Sequence, residues 1–380
     1  MMRPMKLAGS ELLFGQGCLA HLKALKAKKV SIVIGGTSME KSGILGKVEG
    51  YLHEAGAETM VVSGVEPDPH FSTVLRGAQE MGAFGPDLIV ALGGGSVMDA
   101  AKTMWVYYEH PELTKLEELF PPYTFPQLHT KARFCCIPST SGTASEVSRS
   151  VVITDDATGI KHGLGNMEMM PDIAICDPEV TLSMPAHITA ETGMDALTHA
   201  LEALVSNRAN YVSDILATKA AQDIIATLPK AYADGSDLAA RETMIDASMV
   251  AGLAFTNVSL GIVHSMAHTV GSYFHVPHGL ADAVILPYVM RFNSAEPYAK
   301  AAYDRLAASI GSTDLIETVR ALNSTLHIPA TLGEIIPDRA RYLAMLDTLA
   351  AGAKADGCTK TNPIIPTPEQ LQTLFVEALG

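Results

Sequence analysis

The 380-residue chain is short of aromatic residues, at 6%, and of cysteine, with five. It has no uncharged apolar run approaching the roughly 20 residues of a membrane span. Positive charge is also scarce: 41 Asp and Glu outnumber 27 Lys and Arg, for a formal net charge of −14. Each deficit excludes something. An odd cysteine count without framework spacing (Cys18, Cys135, Cys136, Cys176, Cys358) excludes a disulfide scaffold and points to reduced thiols in a cytoplasm. Cys135 and Cys136 are adjacent, and neither has the CxxC spacing of a redox or zinc site. So acidic a chain has no general attraction to phosphate backbones or anionic lipid, and neither nucleic acid nor membrane is an expected partner. The first ten residues, MMRPMKLAGS, lack the apolar core of a signal peptide, so a cytoplasmic location is expected.

What is present is an ordinary globular composition, 48% hydrophobic and 18% charged, in a chain long enough for two cores. Val30 to Ile34 (VSIVI), Thr59 to Val62, Asp87 to Leu92 (DLIVAL), Phe134 to Ile137 and Ile173 to Cys176 read as short buried strands. Segments with helical periodicity, such as Lys41 to Ala55 and Phe71 to Met81, lie between them, and that alternation predicts a parallel sheet covered on both faces. After about Pro178 the pattern changes. Ala190 to Ser206, Tyr211 to Ala231 and Arg241 to Ala254 have helical spacing, and no convincing strand follows Val180. The expected organisation is an α/β domain over 1–180 and an all-helical domain over 181–380.

Gly93-Gly94-Gly95-Ser96 directly follows the strand DLIVAL and opens a helix carrying Asp99 and Lys102. Glycines let a backbone approach a pyrophosphate closely, and a helix N-terminus favours negative charge. The pattern is not GxGxxG, so the ordinary dinucleotide fingerprint is absent; taken alone, such a cluster is often only a tight turn. A second polar loop, Pro138 to Glu146 (PSTSGTASE), follows the next strand. Its hydroxyls serve equally as helix caps or as phosphate ligands. Two such loops at the carboxyl ends of parallel strands converge on one crevice in a doubly wound sheet.

In the helical half, Asp195 and His199 stand four apart in GMDALTHALEA, as do His264 and His268 in GIVHSMAH, and each pair shares a helix face. His275 and His278 follow in FHVPHG, read as a turn containing Pro277 and Gly279. The surroundings are apolar, with Glu202 and Asp282 the nearby charges. One buried histidine is usually a hydrogen-bonded core residue. Burying this many titratable groups without a cation would cost several kcal/mol. Three imidazoles and one carboxylate around a divalent metal resolve that cost and leave room for a substrate oxygen. Ligand type does not select among iron, zinc, nickel and copper.

Together GGGSVMDAAK, PSTSGTASEVS, DPEVTLSMPAHITAETGMDALTHALEALVS, HSMAHTVGSYFHVPHGLADAVILPYVMRFN and the C-terminal TKTNPIIPTPEQLQTLFVEAL resemble the iron-containing alcohol dehydrogenases, over nearly the whole chain from about Leu12 to Leu379. The resemblance implies that family's fold, shared with dehydroquinate synthases: a Rossmann-like parallel-sheet domain followed by an all-α domain. It implies metal ligands at Asp195, His199, His264 and His278, with Fe2+ the expected ion and Zn2+ the alternative. His268 is implied to lie beside the nicotinamide and substrate without being a ligand, as a proton relay or as support for the ligands; His275 has no implied role beyond pocket or structure. Gly94, Gly95, Ser96, Thr140 and Thr143 would bind the cofactor pyrophosphate, with Asp99 beside them, Ser141 a further cofactor contact, Lys161 at the ribose and Val180 flanking.

One departure is informative. Where many members carry a ribose-binding Asp after the first strand, this chain has Gly35-Gly36-Thr37-Ser38. No carboxylate repels a 2′-phosphate there, and Gly36, Thr37 and Ser38 become candidate cofactor contacts, so NADP is favoured over NAD. The expected reaction interconverts a small primary alcohol and its aldehyde by hydride transfer, with the metal polarising the oxygen. Alternatives are a glycerol, diol or hydroxy-acid dehydrogenase of the same fold and, further off, a dehydroquinate synthase-like lyase, against which the DALTHALEA and HSMAH segments speak. Phe255 and Phe274 are candidate pocket residues. A homodimer or larger homo-oligomer is expected from the resemblance alone.

Overall fold

The structure, a computed structural model, describes residues 5–380. Contacts divide the chain into two compact units after Met184.

In the first unit the strands are β1 (Glu11–Phe14), β2 (Lys29–Val33), β3 (Glu58–Val62), β4 (Leu88–Gly93), β5 (Arg133–Pro138), β6 (Ser150–Thr154), β7 (Lys161–Gly165) and β8 (Ile173–Cys176). Six of them form one sheet in the order β1-β8-β5-β4-β2-β3, with every neighbouring pair parallel. The five strands expected from apolar runs appear within a residue of the expected ranges. The sheet is covered on both faces, which is why its strands are apolar at almost every position. In β4, Ile89 and Ala91 join the core beneath α3 (Phe71–Phe84) and α4 (Gly95–Glu109). Leu88, Val90 and Leu92 alternate into the opposite core with Val48 and Leu52 of α2 (Ile44–Glu54), which follows the four-residue α1 (Ser38–Lys41). The single tryptophan, Trp105 on α4, is fully buried and stacks on Phe134 of β5 at 5.0 Å.

From β2 the chain crosses outward to β3, then returns across β2 to β4 and continues outward on the other side to β5. The order therefore reverses between β2 and β4, and ligands of open α/β sheets bind at the carboxyl ends of strands at such a reversal. Gly35 to Ser38 follow β2 and Gly94 to Ser96 follow β4, so both segments lie at that point. Three strands had no expectation. β1 is a four-residue edge strand, and β6 pairs with β7 in an antiparallel hairpin apart from the main sheet.

Among the described residues the second unit contains no strand. Its helices are α5 (Ala186–Val205), α6 (Tyr211–Ala233), α7 (Leu238–Val258), α8 (Ile262–Phe274), α9 (His278–Asn293), α10 (Pro297–Ser309), α11 (Leu315–Thr325), α12 (Arg339–Ala344), α13 (Leu346–Ala355) and α14 (Pro368–Leu379). α5 packs against α6, α7 and α9, and α8 against α9 and α13. That central place explains why α5 is buried almost all round from Gly193 to Val205 instead of showing one apolar stripe. No single helix among the described residues is long and apolar enough to cross a membrane.

Candidate active site

Three helices of the second unit carry the chemistry. On α5, Asp195, His199 and Glu202 fall at i, i+4 and i+7 and so share a face. α8 brings His264, and α9 begins at His278 with Asp282 one turn further on. The segment expected as a turn around Pro277 and Gly279 is thus the start of a helix, with Pro277 in the capping position. Gly279 serves close packing: a Cβ there would lie 2.3 Å from the Glu191 carbonyl oxygen of α5. Its absence lets α9 approach near enough for His278 to meet Asp195.

One atom each from Asp195, His264, His278 and Asp282 lies within 4.8 Å of the others. From Asp195 Oδ1, the Nε2 atoms of His199, His264 and His278 are 3.5, 3.6 and 3.9 Å away. Two ligand atoms each about 2.1 Å from a shared ion are about 3.0 Å apart at a right angle and about 4.2 Å apart when opposed, so all three spacings suit a common ion. His199 lies outside the four-atom group yet makes the shortest of these approaches to Asp195. It also stacks on Phe255 at 4.4 Å and on His264 at 4.6 Å.

Carboxylates behind the imidazoles set their orientation. Glu202 accepts from the Val263 N–H at 2.7 Å through Oε1, while its Oε2 lies 2.6 Å from His264 Nδ1. With the proton on Nδ1, the lone pair of His264 Nε2 is directed into the cluster. His268 does not join the four-atom group. Its Nδ1 pairs with Asp356 Oδ2 at 2.9 Å, and its ring stacks on that of His278 at 5.1 Å. His275 is exposed and ends α8 in a left-handed conformation (φ 54°), giving its N–H to the Gly271 carbonyl. Phe274 packs on Tyr342, 5.3 Å away.

The electrostatics ask for a cation. Asp195, His264 and Asp282 are 3%, 2% and 0% exposed, and Asp195 Oδ1, His264 Nε2 and both Asp282 oxygens make no hydrogen bond among the described residues. Buried polar atoms are rarely left so. Burial opposes charge on Asp195, but His199, His264 and His278 overcome it and hold that carboxyl well below the usual range. Burial pushes Asp282 up, and Asp195 and Glu202 push the same way. Burial likewise opposes a charged His264, yet Asp282, Glu202 and Asp195 lift it well above the ordinary imidazole value. Protons here stand in for positive charge that the carboxylates demand. A divalent ion supplies that charge and gives the bare atoms a partner, so the residues fit a metal.

In the first unit, Gly94 occupies the capping position of α4 in an extended conformation, with no side chain capping the helix. A Cβ on Gly95 would lie 2.5 Å from Thr143 Cγ2, and one on Gly94 would lie 3.4 Å from Thr140 Cγ2, so the two loops touch through these glycines. Ser139 N–H reaches the Gly93 carbonyl at 2.9 Å. The first turns of α4 fasten the second loop further. Asp99 accepts from Ser145 Oγ at 2.8 Å and from the Val152 N–H at 2.9 Å. Lys102 Nζ donates to the carbonyls of Ser145 and Ser148, each at 2.7 Å. Asp99 thus spends its carboxylate on the loop beside it, and Lys102, which sequence reasoning had left without a role, is a buried clamp. Ser141 is buried, with no partner for its Oγ among the described residues. Gly36, Thr37 and Ser38 are exposed. Lys161 pairs with Asp68 at 2.8 Å, and Val180, 1% exposed, packs in the core on the α2 side of the sheet.

Sequence reasoning named Glu202 and Asp282 only as nearby charges. Both had a signal: Glu202 is three residues past His199, and Asp282 repeats the i+4 spacing of the Asp195–His199 pair. Reading His278 into a turn hid the second.

Comparison with known proteins agrees with the geometry. Residues 9–178 match the model for "Iron-containing alcohol dehydrogenase", and residues 189–379 match that for "Fe-containing alcohol dehydrogenase family, C-terminal". The NADPH-dependent butanol dehydrogenase of Clostridium saccharobutylicum is 45% identical over 372 residues, 96% of this chain and 95% of that protein. The bifunctional aldehyde-alcohol dehydrogenase AdhE of Escherichia coli (strain K12) is 38% identical over 92% of this chain, which spans 43% of its length. Among solved structures, an iron-containing alcohol dehydrogenase from Thermococcus thioreducens superimposes with a TM-score of 0.92 at 35% identity, covering 100% of this chain and 99% of that one.

Proposed function

Because the chain belongs to the iron-containing alcohol dehydrogenase family, we propose that it interconverts a small primary alcohol and its aldehyde, with ferrous iron as its metal and NADP as its hydride carrier. The observation that carries this reading is the buried, unpartnered set Asp195 Oδ1 and His264 Nε2, with His199 and His278 beside it.

In this reading Asp195, His199, His264 and His278 hold the ion, and Glu202 fixes His264 in the ligating tautomer. When bound there, a divalent ion would supply Lewis acidity toward the substrate oxygen and a nicotinamide would supply the hydride chemistry. His268 has Nδ1 committed to Asp356, which leaves Nε2 as the atom that takes up or returns the alcohol proton. In the first unit the glycine loop and its Thr140 and Thr143 neighbours receive the pyrophosphate. Preference for NADP rests on the exposed Gly36-Thr37-Ser38 segment at the strand-order reversal, which has no carboxylate to repel a 2′-phosphate. The NADPH dependence in the butanol dehydrogenase's name points the same way, and its substrate favours a short linear alcohol here. A homodimer or larger homo-oligomer belongs to the same reading.

The test strips the protein of metal, restores ferrous iron or zinc, and follows NAD(P)H formation from a panel of alcohols with each cofactor. Activity that returns with iron and NADP and vanishes in Asp195→Ala and His264→Ala is the expected result. Absence of turnover under every combination, with metal bound, overturns the dehydrogenase reading and brings the lyase chemistry forward.

A further inference from the structure

Asp68, in the loop between β3 and α3, is held at once by three other elements of the first unit. Its N–H donates to Ser96 Oγ in the first turn of α4 at 3.4 Å. Its carbonyl accepts from Thr154 Oγ1 at the end of β6 at 3.2 Å, and the Pro69 carbonyl accepts from the Thr154 N–H at 2.8 Å. Its carboxylate meets Nζ of Lys161, the first residue of β7, at 2.8 Å. Thr154 and Lys161 pair in the β6–β7 ladder, so main chain and side chain of Asp68 are fixed on one rung of the hairpin. The backbone of Asp68 is left-handed (φ 55°), a conformation that Asp and Asn tolerate better than most residues.

Stability does not explain this arrangement. The Asp68 side chain is 59% exposed, and exposed ion pairs add little to folding. Placement of a charge does explain it. A lysine ammonium ends a flexible four-carbon stem, and without a partner it swings into solvent. Asp68 keeps that ammonium at a fixed place relative to Ser96, and so to the glycine loop. The contact also sets polarity: Ser96 Oγ accepts from Asp68 and keeps its own O–H to donate, as a phosphate oxygen requires. A bare carboxylate beside a phosphate-binding loop would repel a dinucleotide, and Lys161 cancels that charge.

We propose that Asp68 is a positioning residue for the cofactor, holding the Lys161 ammonium at the ribose in step with Ser96 at the pyrophosphate. The proposal rests on the reading that the first unit binds NADP through its glycine loop, with Lys161 at the ribose. Asp68 acts only through Lys161.

The test is a double-mutant cycle on NADPH binding, read by fluorescence titration of the full-length protein. Asp68→Asn removes the charge and keeps a residue suited to the left-handed backbone; Lys161→Met removes the ammonium and keeps most of the stem. K161M is expected to weaken NADPH binding at least about tenfold and D68N about fivefold, with the melting temperature of D68N unchanged. The double variant binds no more weakly than K161M alone, because Asp68 then has nothing to hold. In turnover the D68N loss falls on the cofactor KM more than on kcat, a split that general loosening of the fold does not give. Should D68N fold poorly, Asp68→Gly accepts the same backbone without strain and is read in the same way. D68N binding within twofold of wild type overturns the role of Asp68, as does a double variant whose loss is the product of the two single losses. K161M binding NADPH as tightly as wild type overturns the placement of Lys161 and the proposal with it. A wild-type protein that binds neither NADPH nor NADH overturns the cofactor reading itself.

Discussion

Replacing Glu202 with Gln tests whether a carboxylate that never touches the ion governs its affinity. Gln has nearly the same size, and its amide offers one acceptor and one donor where the carboxylate offers two acceptors. Both are in use: Oε1 takes the Val263 N–H at 2.7 Å, and Oε2 faces His264 Nδ1 at 2.6 Å. If the amide oxygen keeps Val263, the amide N–H group meets the Nδ1 proton. The imidazole then moves that proton to Nε2, the atom that must be bare to bind metal. Loss of such a partner behind a ligand typically costs about 10–100-fold in metal affinity, or about 1.4–2.7 kcal/mol. In the metal-free protein the same substitution removes the carboxylate that partners the buried His264 and so also costs stability. E202Q therefore lowers the melting temperature of the stripped protein, and lowers that of the loaded protein further by the lost metal affinity. Chelator competition gives the affinity, and calorimetry with and without metal gives the two melting temperatures. An E202Q protein that holds metal within twofold of wild type would refute the orienting role.

Gly279→Ala places a methyl 2.3 Å from the Glu191 carbonyl, so the start of α9 moves about 1 Å away from α5. Thermal unfolding should show a loss of about 1–3 kcal/mol, and metal titration about tenfold weaker binding. Gly95→Ala displaces Thr143; NADPH titration by fluorescence should weaken about tenfold with metal content unchanged, and an unchanged constant would remove that contact from the cofactor site. Burial raises Glu146 from 4.5 to about 7 in the folded chain. Because its folded value exceeds the unfolded one, its contribution to stability is fully present below about pH 4.5 and is lost as pH rises through about 7. Glu146→Gln should therefore match wild type in urea at pH 4 and exceed it by about 3 kcal/mol at pH 8. A less stable variant at pH 8 would mean that electrostatic attraction to Lys102 outweighs burial.

The sheet was legible because parallel strands covered on both faces are continuous apolar runs, and β2, β4, β5 and β8 are buried over nearly their whole length. Two of the three strands that escaped notice lack that property. The residues of β1 are half-exposed or exposed, and β7, KHGLG, contains two glycines and two polar residues whose partner is β6 alone. At the candidate site the histidines were visible because i,i+4 spacing on one helix survives in a linear string. The position of Asp282 was not: Pro277 and Gly279 are turn residues by composition, and only packing against Glu191 shows that this glycine belongs inside a helix. The roles of Asp99 and Lys102 depended on contacts with residues more than 40 positions away, Ser145, Ser148 and Val152, which no local pattern encodes.

The spacing of the converging side chains also has a meaning in polymer terms. Asp195 and His264 are roughly 70 residues apart, and all of α6 and α7 lies between them. An ion held by both is a reversible crosslink that closes a long ring around that hairpin. Drawing the two ends of such a ring together in a disordered chain costs about 4 kcal/mol in entropy, so the unfolded polypeptide is a poor chelator despite containing every donor. The ion therefore arrives after the helices have assembled and does not nucleate them. In reverse, a loaded chain cannot reach the fully open unfolded state until the ion is released, so metal release is part of its complete unfolding.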